Sequence, residues 1–139
     1  MRQFPVVVLG FVAATGILTY PQIFTLNTYI GPHYDALFSV WRLAWIAHQL
    51  AHRPLELFNA NIFYPEPLTL AYSDALLFQG LIAAPFLWVG VDPVLVHNVM
   101  VLATFVASGV AMFWLVREIT TSASAGFIAG MIFAFQPFR

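Results

Sequence analysis

Residues 93–116, which read PVLVHNVMVLATFVASGVAMFWLV, contain no Asp, Glu, Lys or Arg over a length of 24 residues. A helix needs about 20 mainly apolar residues to cross the ~30 Å hydrocarbon core of a bilayer. The stretch meets that length, and the charged pair Arg117 and Glu118 follows it directly. It therefore predicts a transmembrane helix over residues 94–116.

The composition of the whole chain points the same way. Of 139 residues, 61% are hydrophobic and 8% are charged, whereas about 25% charged residues are typical of soluble domains. The net charge of -1 provides no basic surface for nucleic acid, which is therefore not an expected partner. The absence of cysteine excludes disulfides, zinc–thiolate sites and cysteine nucleophiles. The class of protein that remains after these exclusions is one that lies in the lipid bilayer.

Three further apolar segments predict membrane helices, at residues 4–23, 75–91 and 122–139. The segment 75–91 is short for a span and contains Pro85. Together the segments predict an all-α integral membrane protein with about four transmembrane helices in one membrane domain, residues 1–139. Because the last segment is still apolar at its end, we expect an N-terminal fragment of a longer protein, whose remaining transmembrane helices would be its partners.

The first apolar segment has an alternative interpretation as a cleaved signal peptide. Arg2 precedes it, and Val12-Ala13-Ala14 resembles a cleavage site. Apolar residues continue well past Ala14, however, which favours a membrane helix. If Arg2 stays in the cytoplasm, residues 27–74 form an outward loop, since the first helix usually sets the orientation. The few Lys and Arg residues do not follow the positive-inside rule, but their number is too small to overturn this orientation.

The outward loop holds most of the charge, since six of the eleven charged residues lie between Asp35 and Asp74. Within it, residues 36–52 have helical spacing. One face carries the aromatic side chains Trp41, Trp45, His48 and His52, and the opposite face carries the polar side chains Ser39, Arg42, Gln49 and Arg53. Pro54 ends the helix. This pattern is typical of a membrane surface and predicts an extracytoplasmic interfacial helix.

Several polar residues of the loop have two interpretations each. Asp35, beside His33 and Tyr34, can accept a proton or hold a cation, or it can cap the helix. Asp74 is either a cap of the next helix or a second acidic group. His48 and His52 have the spacing of two metal ligands on a helix. No third ligand is evident, so histidines beside tryptophans at the membrane interface are the preferred interpretation.

Residues 57–67, LFNANIFYPEP, are rich in turn formers and aromatic residues. Asn59, Asn61 and Tyr64 can hydrogen-bond a hydroxylated ligand, and the aromatic rings can stack on the face of a sugar. Ordinary packing within the loop explains the same residues.

Four short motifs occur in an order that resembles a known family: HYD at 33–35, WRLAW at 41–45, NANIFYP at 59–65 and LAYSD at 70–74. A short N-terminal span, an outward loop with an acidic residue, an interfacial helix and further spans resemble the front end of the GT-C superfamily. These are polytopic glycosyltransferases that use lipid-phosphate-linked sugars. The chain also resembles the bacterial members of this group, which implies a location in the bacterial inner membrane.

The resemblance implies a reaction and residue roles. In the family an acidic residue of the first outward loop is the catalytic base or helps to hold a divalent metal ion, and by position this role carries over to Asp35 alone. Its carboxylate would deprotonate or orient an acceptor hydroxyl that attacks a polyprenyl-phosphate sugar, while Arg42 would hold the departing phosphate. The other substrate-binding candidates are His33, Tyr34, Asn61, Tyr64 and Asp74.

Two features separate this chain from the family pattern. Many members have two adjacent acids in this loop, whereas Ala36 follows Asp35 here. The sequence therefore leaves open whether the protein uses a divalent metal ion as a cofactor. The family also has many more spans, so the fragment alone would lack much of an active site.

Two interpretations from other classes remain. A lipid or polysaccharide transporter would need polar residues within its spans, and the predicted spans hold almost none. A non-catalytic multi-pass subunit would pack against a partner through small residues spaced by four. Such residues are Ala103, Ala107 and Ala111 on the third predicted helix and Gly126, Gly130 and Ala134 on the fourth.

Overall fold

The computed structural model describes residues 4–30 and 34–136. Over these residues it contains the helices α1 Phe4–Leu18, α2 Tyr34–His52, α3 Leu77–Trp88, α4 Pro93–Thr120 and α5 Ala123–Ala134. Short 3₁₀ helices lie at Gln22–Phe24, Pro54–Glu56 and Thr69–Tyr72. No strand occurs in this described part of the chain, which confirms the all-α class. The helix expected over residues 36–52 is α2.

One helix stands out by its length. α4 has 28 residues and a mean hydropathy of 2.3 over its most apolar window, and among the described residues it alone is long and apolar enough to cross a membrane. α1, α3 and α5 are apolar but have 15, 12 and 12 residues, so the expectation of four spans is not supported. Turn-forming residues explain the shorter α1 and α3, since Pro21 follows α1 and Gly90, with a φ of +86°, follows α3. The last residues of the segment expected over 122–139, residues 137–139, lie outside the described residues.

The helices form two compact units. The first contains Met1–Thr25 and Val99–Arg139, and the second contains Leu26–Asn98. The boundary between them falls inside α4.

Phe11 of α1 is the centre of the first unit. Its side chain is fully buried and packs with Val7 and Phe113. The ring has room because glycines face it. A Cβ built on Gly109 of α4 would come within 2.6 Å of the Phe11 ring, and one built on Gly130 of α5 would come within 2.5 Å.

Small residues also allow α5 to approach α4 closely. The buried residues of α5 are Gly126, Gly130 and Ala134. An added Cβ would lie 2.7 Å from the Phe113 carbonyl oxygen at Gly126 and 2.6 Å from the Gly109 carbonyl oxygen at Gly130. Backbones come this near to each other where glycine removes the side chain. The small residues spaced by four on α5 are therefore a helix-packing surface.

The second unit is built on the contact between α2 and α3. Gly80 of α3 lies against Ile46 of α2, where an added Cβ would come within 2.6 Å of the Ile46 side chain. Near the end of α3, Trp88 Nε1 donates a hydrogen bond to the Ala47 carbonyl oxygen at 2.9 Å. The absence of a side chain at Gly80 thus lets the two helices pack at close range.

Asn98 connects α4 to the segment that follows α1. Its side chain is 1% exposed, and Nδ2 donates to the carbonyl oxygens of Leu26 and Tyr29, both at 2.8 Å. This polar residue near the start of an apolar helix therefore satisfies backbone groups of a loop.

Gly130→Ala is expected to lower the free energy of unfolding by about 1–3 kcal/mol, the usual cost of overpacking a core. The new methyl group would meet the Gly109 backbone and the buried Phe11 ring. Gly16→Ala is the matched control, because its Cβ would meet Ile23 Cδ1, the end of a flexible side chain, at 3.3 Å. Thermal unfolding of both variants in one detergent is the measurement, and equal losses would contradict the packing at Gly130.

Candidate functional site

α2 buries polar side chains together with apolar ones. Its buried residues are Arg42, Leu43, Ile46, Ala47 and Gln49. Arg42 and Gln49 belong to the polar stripe expected at a membrane surface, yet they are 7% and 6% exposed. Gln49 Nε2 donates to the Glu56 carbonyl oxygen at 3.3 Å. At these two positions the stripe makes contacts within the protein instead of facing water.

The Arg42 guanidinium joins α2 to the segment that leads into α3. Nη1 donates to Ser73 Oγ at 3.4 Å and to the backbone carbonyl oxygen of Asp74. Nη2 donates to Ser39 Oγ at 2.9 Å, and Ser39 Oγ donates to the Asp35 carbonyl oxygen at 2.8 Å. A chain of hydrogen bonds therefore runs from the backbone of Asp35 to that of Asp74. We call these five residues the Arg42 clamp.

The surroundings of Arg42 act on its charge in opposite directions. Burial lowers the pKa of the guanidinium, and the smaller effects of the Asp74 and Asp35 carboxylates raise that pKa. The Phe38 ring adds a cation–π contact, with 4.5 Å between Arg42 Cζ and the ring centroid. Arg42 Nε is buried and has no hydrogen-bond partner among the described residues. Two carboxylates and one aromatic face thus partly replace the water that the charge has lost.

Asp35 and Asp74 lie on the surface of the clamp. Both are exposed, and both influence the charge of Arg42, so the structure brings three of the expected site residues together. Asp35 lies in the first turn of α2. The N-cap of α3 is Leu76 and has no side-chain cap hydrogen bond, so Asp74 does not cap that helix.

The two carboxylates are open to an external group. Within residues 4–30 and 34–136, the one ion pair with nitrogen and oxygen no more than 4 Å apart joins Arg53 to Glu56, at 3.4 Å. Neither Asp35 nor Asp74 is neutralised in that way. An exposed carboxylate of this kind can take a proton from a hydroxyl group or contribute to binding a cation.

Asn61 and Tyr64 lie on a separate loop whose two ends are joined by hydrogen bonds. Three hydrogen bonds of 3.0, 3.0 and 3.2 Å join residues 58–60 to residues 68–70. In one of them Asn59 Oδ1 accepts the Leu68 amide, so Asn59 has a structural role. Asn61 is exposed and Tyr64 is 97% exposed. Within the described residues, no hydrogen bond joins either side chain to the Arg42 clamp.

Two other expected residues adjoin Asp35. Tyr34 is 90% exposed and its ring is accessible to a ligand. His33 lies outside the described residues.

Sequence reasoning missed Ser39 and Ser73 as members of the site. Ser39 follows Asp35 by four residues and precedes Arg42 by three, which is the spacing of neighbours on a helix, so a signal was present. Ser73 is brought to Arg42 by the tertiary fold, and its sequence context carries no comparable signal.

A preformed metal centre is not found in the part of the chain that the structure describes, where no three His, Asp or Glu side chains lie close enough to hold an ion. A divalent cation at Asp35 and Asp74 would need further ligands from water or from a substrate phosphate.

Comparison with known proteins assigns no family, because no family model, curated protein or solved structure matches the chain. Function is therefore inferred from the residues and contacts given above.

Arg42→Gln is expected to lower the free energy of unfolding by about 2 kcal/mol, since hydrogen bonds to a charged group are worth about 1.5–3 kcal/mol. Arg42→Lys is expected to lose a similar amount, because an ammonium group cannot reproduce the guanidinium fork. Unfolding by heat or denaturant in detergent measures both losses.

Arg53→Gln is the matched control for Arg42→Gln. The Arg53 side chain is 69% exposed in its ion pair with Glu56, and exposed pairs contribute about 0–1 kcal/mol. Equal stability of Arg42→Gln and Arg53→Gln would contradict a clamp at Arg42.

Proposed function

We propose that this chain is the N-terminal part of a polytopic GT-C-type glycosyltransferase in the bacterial inner membrane. It would transfer a sugar from a polyprenyl-phosphate donor to an acceptor at the outer face. The observation that carries the proposal is that Asp35 and Asp74 are both exposed and that both carboxylates act on the charge of the buried Arg42. Transfer to a hydroxyl group needs an accessible base at a fixed position, and the clamp provides such a position.

A membrane location is supported by the exposed apolar side chains of the first unit. Val6, Leu9 and Ile17 on α1 are 69%, 65% and 74% exposed, and Ile128 and Ile132 on α5 are 60% and 69% exposed. Burial of these side chains in lipid is favourable, whereas a soluble protein would place them in water. We infer a multi-pass arrangement in which α4 crosses the bilayer and α1 and α5 lie beside it in the membrane.

In the proposed reaction, Asp35 accepts the proton of the acceptor hydroxyl while the hydroxyl oxygen attacks the anomeric carbon. The bond between that carbon and the phosphate oxygen breaks, and its electron pair leaves with the polyprenyl phosphate. Asp74 would orient the acceptor or supply a carboxylate oxygen to a divalent cation. The exposed side chains of Tyr34, Asn61 and Tyr64 are available to contact sugar hydroxyls and ring faces.

Arg42 has a different role in this proposal from the one expected from sequence. Its fork is occupied by Ser39, Ser73 and the Asp74 carbonyl oxygen, and its side chain is buried. In this proposal the guanidinium therefore positions the segments that carry Asp35 and Asp74. Groups other than Arg42 bind the departing phosphate.

The test is Asp35→Asn in the full-length protein, assayed by mass spectrometry of glycolipids from cells that express it. Loss of a general base is expected to slow transfer by about 10²–10⁴-fold. Asp74→Asn is expected to reduce transfer as well. Glu66→Gln is the control, because Glu66 is an exposed carboxylate on the separate loop.

Unchanged glycosyl transfer in Asp35→Asn would remove Asp35 from the mechanism. If the unaltered full-length protein produces no new glycolipid, the proposed function itself is wrong.

The alternative function is that of a non-catalytic membrane subunit, and it has one observation in its favour. Small residues at this spacing are typical of helix contacts. Ala103, Ala107 and Ala111 on α4 are exposed, so they are available to a helix of a partner protein. A subunit of this kind would tolerate Asp35→Asn and Asp74→Asn without any change in its assembly with a partner, and it would produce no glycolipid by itself.

A further inference from the structure

The second unit contains a cleft that the proposed function does not use. Its volume is about 510 Å³, and it lies between the last turns of α2 and α3 and the turn that opens α4. Three alanines of α2 form part of the lining, with Trp88 on another side. His48, His52 and Asp92 supply its titratable groups. None of the five residues of the Arg42 clamp lines this cleft, so the two sites are distinct.

The hydrogen bond between the His52 ring and the His48 carbonyl oxygen shows which ring nitrogen of His52 carries a proton. Nδ1 of His52 lies 2.8 Å from the His48 carbonyl oxygen. A carbonyl oxygen only accepts hydrogen bonds, so Nδ1 is the donor and carries the proton. In the neutral ring this leaves the lone pair on Nε2, and a donor bond from one ring nitrogen to a carbonyl is the usual way in which a metal-binding histidine is oriented.

His48 stands beside this ring and can share a ligand with it. The centroids of the two imidazoles are 4.3 Å apart and their planes differ by 24°. Two nitrogen ligands of a tetrahedral ion with bonds of about 2.0–2.1 Å lie roughly 3.4 Å from each other. The stacked rings must therefore turn out of their near-parallel arrangement before their nitrogen lone pairs can converge on one ion, and the exposed His48 side chain has the space to make that rotation.

The charges around the cleft favour a cation. Asp92 contributes a carboxylate, of which Oδ1 accepts the amides of Val94 at 2.8 Å and Leu95 at 3.2 Å. Oδ2 is not used in this cap. The last turn of α2 adds the negative end of a helix dipole next to His52. Imidazole nitrogen suits zinc, copper or nickel, whereas magnesium and calcium take oxygen ligands.

We propose that His48 and His52 bind one divalent transition-metal ion, with Zn²⁺ as the representative, at the mouth of this cleft. The two imidazoles are the protein ligands, water completes the coordination, and Asp92 contributes its charge from the neighbouring wall. The ion links successive turns at the end of α2, immediately before the chain turns at Pro54. This site is independent of the proposed glycosyl transfer.

The test is isothermal titration of ZnCl₂ into the purified chain in detergent, with an affinity tag that contains no histidine. One Zn²⁺ per chain is expected. His48→Gln and His52→Gln are each expected to weaken binding by about tenfold or more, since each removes one of two protein ligands. Asp92→Asn, which keeps Oδ1 for the cap, is expected to weaken binding only a few-fold.

His97→Gln is the matched control, because His97 lies on α4 and does not line the cleft. It should bind Zn²⁺ as the unaltered chain does. A second readout is amide hydrogen exchange, which Zn²⁺ should slow over residues 48–53 in the unaltered chain and not in His52→Gln. Absence of stoichiometric binding, binding that survives both histidine substitutions, or a loss in only one of the two would each overturn the proposal.

Discussion

The buried guanidinium of Arg42 is the constraint on which the arrangement of the second unit depends. A charge that is 7% exposed needs partners that replace water, and here the partners come from two distant parts of the chain. Ser39 lies on the same helix, while Ser73 and the Asp74 carbonyl oxygen belong to the segment before α3. Satisfying Arg42 therefore fixes where α2 meets that segment. The backbones of Asp35 and Asp74, two residues with exposed side chains, are connected through Arg42 as a consequence.

The first unit is held together by shape instead of charge. Phe11 occupies space left by Gly109 and Gly130, and the α5 glycines bring that helix against α4. Packing of this kind suits lipid, where apolar side chains gain little by leaving the solvent and close backbone approach supplies the contact. The exposed apolar surface of α1 and α5 agrees with such an environment. One short chain thus combines a first unit held by apolar helix packing with a second unit that also buries the charge of Arg42.

Periodicity and proline placement were enough to predict the all-α class and the end of α2, because Pro54 disfavours a helical conformation at the residue before it. Apolar length alone overestimated α1 and α3, since Pro21 and Gly90 shorten the adjoining segments. Helical spacing placed Arg42 and Gln49 on the same stripe but could not show that the stripe is buried. That depends on Ser73 and Glu56, whose positions are set by tertiary folding. For the same reason, the small residues of α5 could not be told apart from the exposed alanines of α4 before the structure was known.

The central claim is that Arg42 brings Asp35 and Asp74 together, and intramolecular cross-linking tests it most directly. The clamp uses the backbone carbonyls of these two residues, so Asp35→Cys and Asp74→Cys keep its hydrogen bonds and remove only the two carboxylates, and the chain has no other cysteine. A short bifunctional thiol reagent should link the two cysteines rapidly within one chain, and adding Arg42→Gln should slow the reaction strongly. A rate that is the same with and without Arg42, or the absence of any intramolecular link, would contradict the account.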